Sequence, residues 1–291
     1  MLEVTALCKR YGPRTALDGV TLAVRPGEMF GFVGANGAGK TTTMRIIMGV
    51  LTADAGEVRW QGRPLDARIR RRFGYMPEER GLYAKMRVGE QIEYFGRLGG
   101  LSAPAARRAA DELLQRLHLT ERRDSEVDSL SLGNQQRVQL AVALVHDPEA
   151  LILDEPFSGL DPIAVDALAE VLEERRAAGV PVIFSSHQLD LVERLCDSVG
   201  IIKAGRMIAE GTVAELRARE ARKRLRLVVR DAEPGWADRL PGTVVHKDGD
   251  EVVLETTEDQ AVLRLAVQAG RVEHFGWLEP SLVEIFREVV A

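Results

Sequence analysis

The sequence predicts an α/β protein with a mostly parallel core sheet, an antiparallel β portion and a helical insert, followed by a small α+β domain of the ferredoxin-like kind. Three observations predict it. The stretch Gly34-Ala35-Asn36-Gly37-Ala38-Gly39-Lys40-Thr41 fits G-x-x-x-x-G-K-[ST] at every constrained position, between a strand pattern at Met29–Val33 and a helical one at Lys40–Met48. Two more apolar runs, Ala150–Leu153 and Val180–Phe184, flank the helical pattern of Ile163–Ala178, and each runs into polar residues. That order builds a parallel sheet with functional loops at its carboxyl ends. Past residue 224 the pattern changes to β-α-β-β-α-β, the split βαβ order.

Taken along the chain, Leu2–Lys9 and Ala16–Val24 partly alternate apolar and polar residues, and Gly12-Pro13 between them makes a turn. Tyr11 stands at that turn, placed either to pack on a neighbouring strand or to stack on a base. After the first helix come strands at Gly56–Trp60 and Phe73–Met76, the second ending at Pro77-Glu78-Glu79. From Val88 to Leu119 the pattern is helical, with Leu113, Leu114 and Leu117 on one face, giving an insert at about 85–145. The charged helical run at 216–223 reads as the linker between a domain at 1–215 and one at 224–291. In the latter we expect a strand at Leu225–Arg230, a short helix near Trp236, and strands at Thr243–His246 and Glu251–Glu255 joined by Asp248-Gly249. A helix at Gln260–Ala269, a strand at Val272–Trp277 and a helix at Ser281–Val290 complete it, with no catalytic constellation.

Bulk properties narrow the function. A chain of 291 residues can bury a full core, and a net charge of −5 argues against a general nucleic-acid binder. There is no apolar run of about 18 residues, and Met1-Leu2-Glu3-Val4 lacks the basic and apolar regions of a secretory signal, which predicts a cytosolic chain. Cys8 and Cys196 lack metal-ligand spacing and read as reduced thiols.

The chemistry starts at the Gly-rich loop. Its glycines let backbone N–H groups converge on phosphates without an intervening Cβ, and the helix behind adds its positive dipole end. Lys40 neutralises phosphate charge, while Thr41 offers a hydroxyl to Mg²⁺, a hard cation that prefers oxygen. Asp154, at a strand end, is placed to hold Mg²⁺ directly or through water. Glu155 follows it, turned the opposite way if the strand persists, as a candidate general base for the attacking water. His187 ends another buried strand, where it can reach the γ-phosphate or orient that water. Ser131 and Gly133 precede an apolar helix, where caps and free N–H groups bind anions. One nucleotide face is already covered by the chain's own loop, so a second anion site would serve a partner's ATP.

Together these stretches resemble the ATP-binding subunits of ABC transporters over residues 1 to about 215. The resemblance rests on the loop at Gly34–Thr41, the signature-like stretch Leu130–Gln136, Asp154-Glu155, Ser158-Gly159-Leu160-Asp161 and His187. The C-terminal domain and Pro77-Glu78-Glu79-Arg80-Gly81-Leu82-Tyr83 are similar to subunits of ABC-2 type exporters, the sodium- and drug-extruding group. The resemblance implies a P-loop NTPase of ABC type in which two copies, or a copy and a paralogous ATPase subunit, sandwich ATP. Tyr11 and the loop residues through Thr42 would bind ATP, and Thr41, Asp154 and Glu78 would hold Mg²⁺. Glu155 and His187 would be catalytic, with Ser131, Gly133, Asn134 and Asp161 completing the partner's site. A polytopic membrane permease would dock on the helical insert and place the chain on the inner face of the cell membrane, with export favoured over import.

Two departures stand out against that pattern. Glu78 replaces a glutamine that meets Mg²⁺ and the attacking water, and Leu132 and Asn134 replace glycine and glutamine in the signature. Two competing readings are a soluble ABC-type ATPase acting on ribosomes or DNA, disfavoured by the acidic charge, and a non-hydrolysing ATP switch, disfavoured by Glu155 and His187.

Overall fold

The computed structural model describes residues 1–220, 224–278 and 281–290. Packing divides the chain into two compact units, meeting in sequence at Val213 and Ala214. The first opens with β1 (Leu2–Tyr11) and β2 (Arg14–Val24), an antiparallel pair joined through Gly12, whose φ of 57° suits a residue without Cβ. Next come β3 (Met29–Val33), α1 (Lys40–Ile47), β4 (Ala55–Trp60), β5 (Arg63–Pro64), α2 (Ala67–Arg70) and β6 (Phe73–Met76). The insert supplies α3 (Val88–Leu98), α4 (Ala103–Arg116) and α5 (Leu132–Leu144). After it follow β7 (Ala150–Leu153), α6 (Pro162–Ala177), β8 (Val182–Ser186), α7 (Leu189–Leu195), β9 (Ser198–Lys203) and β10 (Arg206–Thr212).

Two sheets organise this unit. The antiparallel one runs β2-β1-β4-β5; the six-stranded one runs β10-β9-β3-β8-β7-β6 and is parallel except for the edge strand β10. All residues of β3, β7 and β8 are buried, as continuous apolar strands covered on both faces must be. A shared core of Leu7, Leu17, Phe30, Phe32, Met44 and Ile202 joins the two sheets to α1. Sequence patterning places the insert helices but reads α3 and α4 as one run. The break at Gly99–Ser102 comes from Gly100 at φ 102° after the Gly99 cap and from the Ser102 cap of the next helix, and Gly99 packs where a Cβ would lie 2.3 Å from His146 Cβ. The hairpin β9–β10 adds two strands beyond those the patterning shows, turning on Ala204 and Gly205, both at positive φ (48° and 80°).

The second unit holds α8 (Val213–Glu220), whose first residue belongs to the first unit, then β11 (Arg224–Arg230), β12 (Thr243–Asp248) and β13 (Glu251–Glu255). It closes with α9 (Asp259–Ala269), β14 (Arg271–Trp277) and α10 (Leu282–Val290). Of the expected linker at 216–223, the residues to Glu220 lie in α8, and 221–223 lie outside the described residues. The sheet order β12-β13-β11-β14 is wholly antiparallel and has the split βαβ arrangement. The helix expected near Trp236 is a single 3-10 turn, Trp236–Arg239, which still buries Trp236 and Ala237 with Leu225, Leu227, Val252 and Val262.

Candidate ATP-binding and hydrolysis site

Strand order assembles the site. Strands β3, β8, β7 and β6 are parallel neighbours, so the residues just past their carboxyl ends fall side by side: the Gly34–Gly39 loop, His187, Asp154-Glu155 and Pro77-Glu78. Positions up to about 150 residues apart in sequence meet because the register leaves them no other place.

The Gly-rich loop is held tightly from behind. A Cβ on Gly34 would come within 2.5 Å of the Ile202 carbonyl oxygen, and one on Gly39, at φ 122°, within 2.9 Å of the Ala16 carbonyl oxygen. Lys40 is buried, and its Nζ donates to the carbonyl oxygens of Gly34 (2.6 Å) and Ala35 (3.4 Å), so the cation folds back over the loop it would share with a phosphate. In front lies a cleft of about 380 Å³ lined by Tyr11, Asn36, Gly37, Gly39, Lys40, Thr41, Thr42, Glu78, Asp154 and Glu155, together with Arg14 and Ala16. Tyr11 is 46% exposed, with Lys9 Nζ 5.8 Å from its ring centroid. Arg14, which we did not single out from sequence, pairs with Tyr11 across the β1–β2 hairpin, and its guanidinium reaches the loop at Gly37. The hairpin turn after Tyr11 was the available signal.

The acidic pair is built by a turn rather than by an extended strand. β7 ends at Leu153, and Glu155 takes φ 53°, so the opposed orientation expected from a continuing strand does not occur. Both carboxylates face the same cleft. Asp154 is 1% exposed; its Oδ1 accepts the Ser185 hydroxyl at 2.6 Å, and its Oδ2 is buried with no hydrogen-bond partner. Burial and the adjacent Asp154 charge push the Tyr75 phenol above its usual range, keeping it neutral beside the pair. Glu155 Oε2 lies 2.9 Å from His187 Nδ1, with the carboxylate largely buried and the imidazole 60% exposed. A second cleft of about 140 Å³, lined by Asn36, Glu78, Arg80, Gln136, Glu155, Ser158 and His187, adjoins these groups. Glu78 Oε2 stands 3.5 Å from the Thr41 hydroxyl that donates to it, so the departure from glutamine places a carboxylate beside the candidate Mg²⁺ hydroxyl.

The signature-like stretch begins outside both clefts and reaches the second only at its last residue, Gln136. Ser131 caps α5, accepting the Asn134 N–H at 3.4 Å, and Leu132 behind it is 61% exposed. Asn134 Oδ1 accepts from Arg137, and Asp161 caps α6 by accepting the Ala164 N–H at 2.8 Å. None of Ser131, Gly133, Asn134 and Asp161 lines either cleft. The stretch is nonetheless wired to the acidic pair: Gln136 Nε2 donates to the carbonyl oxygens of Glu155 (3.0 Å) and Pro156 (3.1 Å), and Gln139 Nε2 to that of Pro77 (2.6 Å).

Comparison with known proteins follows the same division. The ABC transporter family model matches residues 17–158, and the model for the DrrA1-3-like ATP-binding protein C-terminal domain matches residues 211–290. An uncharacterised ABC transporter ATP-binding protein of Bacillus subtilis (strain 168), YhaQ, is 38% identical over 100% of this chain and 98% of its own length. The chain belongs to the ABC transporter family, as an ATP-binding subunit. The Nod factor export ATP-binding protein I of Paraburkholderia xenovorans (strain LB400) is 40% identical over 75% of this chain and 73% of its own. A solved ATP-binding subunit of an ABC transporter superposes with a TM-score of 0.70 at 36% identity, covering 75% of this chain and 92% of that one. Members of the family are ATPases that generally use Mg²⁺ and work with a membrane permease, and this subunit is an ATPase. Among the described residues no helix is long and apolar enough to cross a membrane.

Proposed function

We propose that two copies of this chain close around two ATP molecules and that the closing and reopening drives export through a polytopic permease. The observation that carries the reading is the separation of the two half-sites. Lys40, Thr41, Asp154 and Glu155 line one cleft and His187 lines the adjoining one, which Glu155 shares, while Ser131 and Gly133, at the capped start of α5, line neither. A half-site without its own phosphate loop is useful only to a second nucleotide, which a partner subunit brings.

In this reading Tyr11 stacks on adenine, Gly34 to Thr42 wrap the phosphates, and Ser131, Gly133, Asn134 and Asp161 complete the partner's site. Thr41, Asp154 and Glu78 would hold Mg²⁺; the buried Asp154 Oδ2 without a partner is the kind of acceptor a hard cation or its water satisfies. That ion would neutralise charge on the phosphates. Glu155 takes the proton of the attacking water, and His187, 2.9 Å away, holds that carboxylate in place. Export is supported by the export relative. The permease would dock on the insert, where Tyr83 (52% exposed) stacks on Phe95 beside Tyr94 and the 60%-exposed Leu98. Such a chain would sit in the cytoplasm, peripheral on the inner membrane face, with no nucleic acid as partner.

The test is co-purification. A tagged chain extracted from native membranes in mild detergent should bring down a polytopic membrane protein in about equal amount. Ribosomal or DNA-repair proteins without a membrane partner would replace this reading with that of a soluble ATPase, and absence of steady-state phosphate release would replace it with that of an ATP switch.

A further inference from the structure

We propose that Ser185 is a positioning residue that sets both acidic groups of the site at once. The inference rests on the reading of Asp154 as a Mg²⁺ ligand and Glu155 as the base. Ser185 is fully buried near the end of β8, one strand over from β7. Its hydroxyl donates to Asp154 Oδ1 at 2.6 Å and accepts the Glu155 backbone N–H at 2.8 Å.

Each bond has a separate consequence. The first takes one acceptor site of Oδ1, leaving Oδ2 as the carboxylate oxygen with no partner to meet an ion or its water, and it opposes rotation of the carboxylate about its final bond. The second pins a backbone held at φ 53°, a conformation that costs a residue with a Cβ about 1 kcal/mol or more and persists only when its surroundings over-determine it. That turn aims Glu155 back into the cleft and within 2.9 Å of His187. An alanine at 185 removes donor and acceptor together and leaves a buried carboxylate oxygen and a buried N–H unsatisfied. A hydroxyl is the smallest group able to give and take one hydrogen bond each in a space this enclosed.

The experiment compares the full chain with Ser185→Ala, Ser185→Thr and Glu155→Gln. It measures ATP hydrolysis, and separately the binding of a fluorescent ATP analogue as Mg²⁺ is raised, which needs no turnover. Thermal unfolding of each variant checks its fold. We expect Ser185→Ala to lower kcat by about 10- to 100-fold with KM for ATP within about 2-fold, and to raise the Mg²⁺ concentration for half-maximal binding by about 3-fold or more. Ser185→Thr, which keeps the hydroxyl, should restore both to within about 3-fold. Wild-type kcat and Mg²⁺ response in Ser185→Ala would overturn the proposal. So would the movement of only one readout, or a threonine variant that folds yet behaves like alanine. A Glu155→Gln variant hydrolysing at the wild-type rate would remove the assignment of the base, while the Mg²⁺ response still reports whether Ser185 orients Asp154.

Discussion

At the residue scale the site works by exclusion and by fixed direction. Gly39 is the sharpest case, because a side chain there meets both a positive φ and the Ala16 carbonyl oxygen. Gly39→Ala should abolish detectable binding of a fluorescent ATP analogue, even in preparations whose circular dichroism matches the parent chain. Tyr11 is a milder test, since a stacking contact contributes about 0.5–1.5 kcal/mol beyond its buried area. Tyr11→Ala should weaken ATP binding by about 3- to 10-fold in a titration, with little change in kcat. The Gly-rich loop and Asp154-Glu155 were legible as residue types at fixed spacing. Arg14 and Ser185 were not, because their importance lies in neighbours that a one-dimensional pattern does not display.

Element-scale behaviour is set by caps and by what each helix end rests on. Asp161 accepts the Ala164 N–H and starts α6. Asp161→Ala should cost about 1 kcal/mol in urea unfolding, and Asp161→Asn much less, because asparagine caps equally well. His146 lies just past α5, where its ring reaches the Phe73 carbonyl oxygen at 3.2 Å beneath the α3–α4 turn. Burial lowers its pKa below the ordinary 6.5, so the folded state holds the ring neutral while the unfolded chain takes up a proton. The contribution is therefore complete above pH 6.5 and is lost as pH falls from there towards the folded-state value. The urea midpoint should decline below pH 6.5, with a shallower decline in His146→Gln. Periodicity showed that this region is helical, yet it did not show the break between α3 and α4, because the break is carried by Gly99-Gly100 and the Ser102 cap, turn residues that a count of apolar positions does not weigh.

For the whole molecule, the proposed sandwich turns on the fact that Ser131, Gly133, Asn134 and Asp161 line neither cleft of their own chain. A Glu155→Gln chain, slowed about 10²- to 10³-fold in hydrolysis, should accumulate as a dimer with Mg-ATP and return to monomer with ADP, read by light scattering. A variant that stays monomeric with Mg-ATP would remove the support for a closed sandwich. The wiring through Gln136 and Gln139 gives a second, graded prediction at this scale. Gln136→Ala, which releases α5 from the Glu155–Pro156 turn, should lower permease-stimulated hydrolysis more than the basal rate.

What the sequence determined by itself was residue pattern and order: a Gly-rich loop and strand-end carboxylates at fixed spacing, and that strands and helices alternate as a parallel sheet requires. It could do so because those demands are local, met by residue type within a few positions of one another. Tertiary structure decided direction and company. The left-handed turn at Glu155, the buried hydroxyl of Ser185 beneath it and the approach of Arg14 to the loop each depend on strands far apart in sequence becoming neighbours. The hydrogen bonds and steric limits that hold them belong to the packed sheet, not to any single stretch of chain.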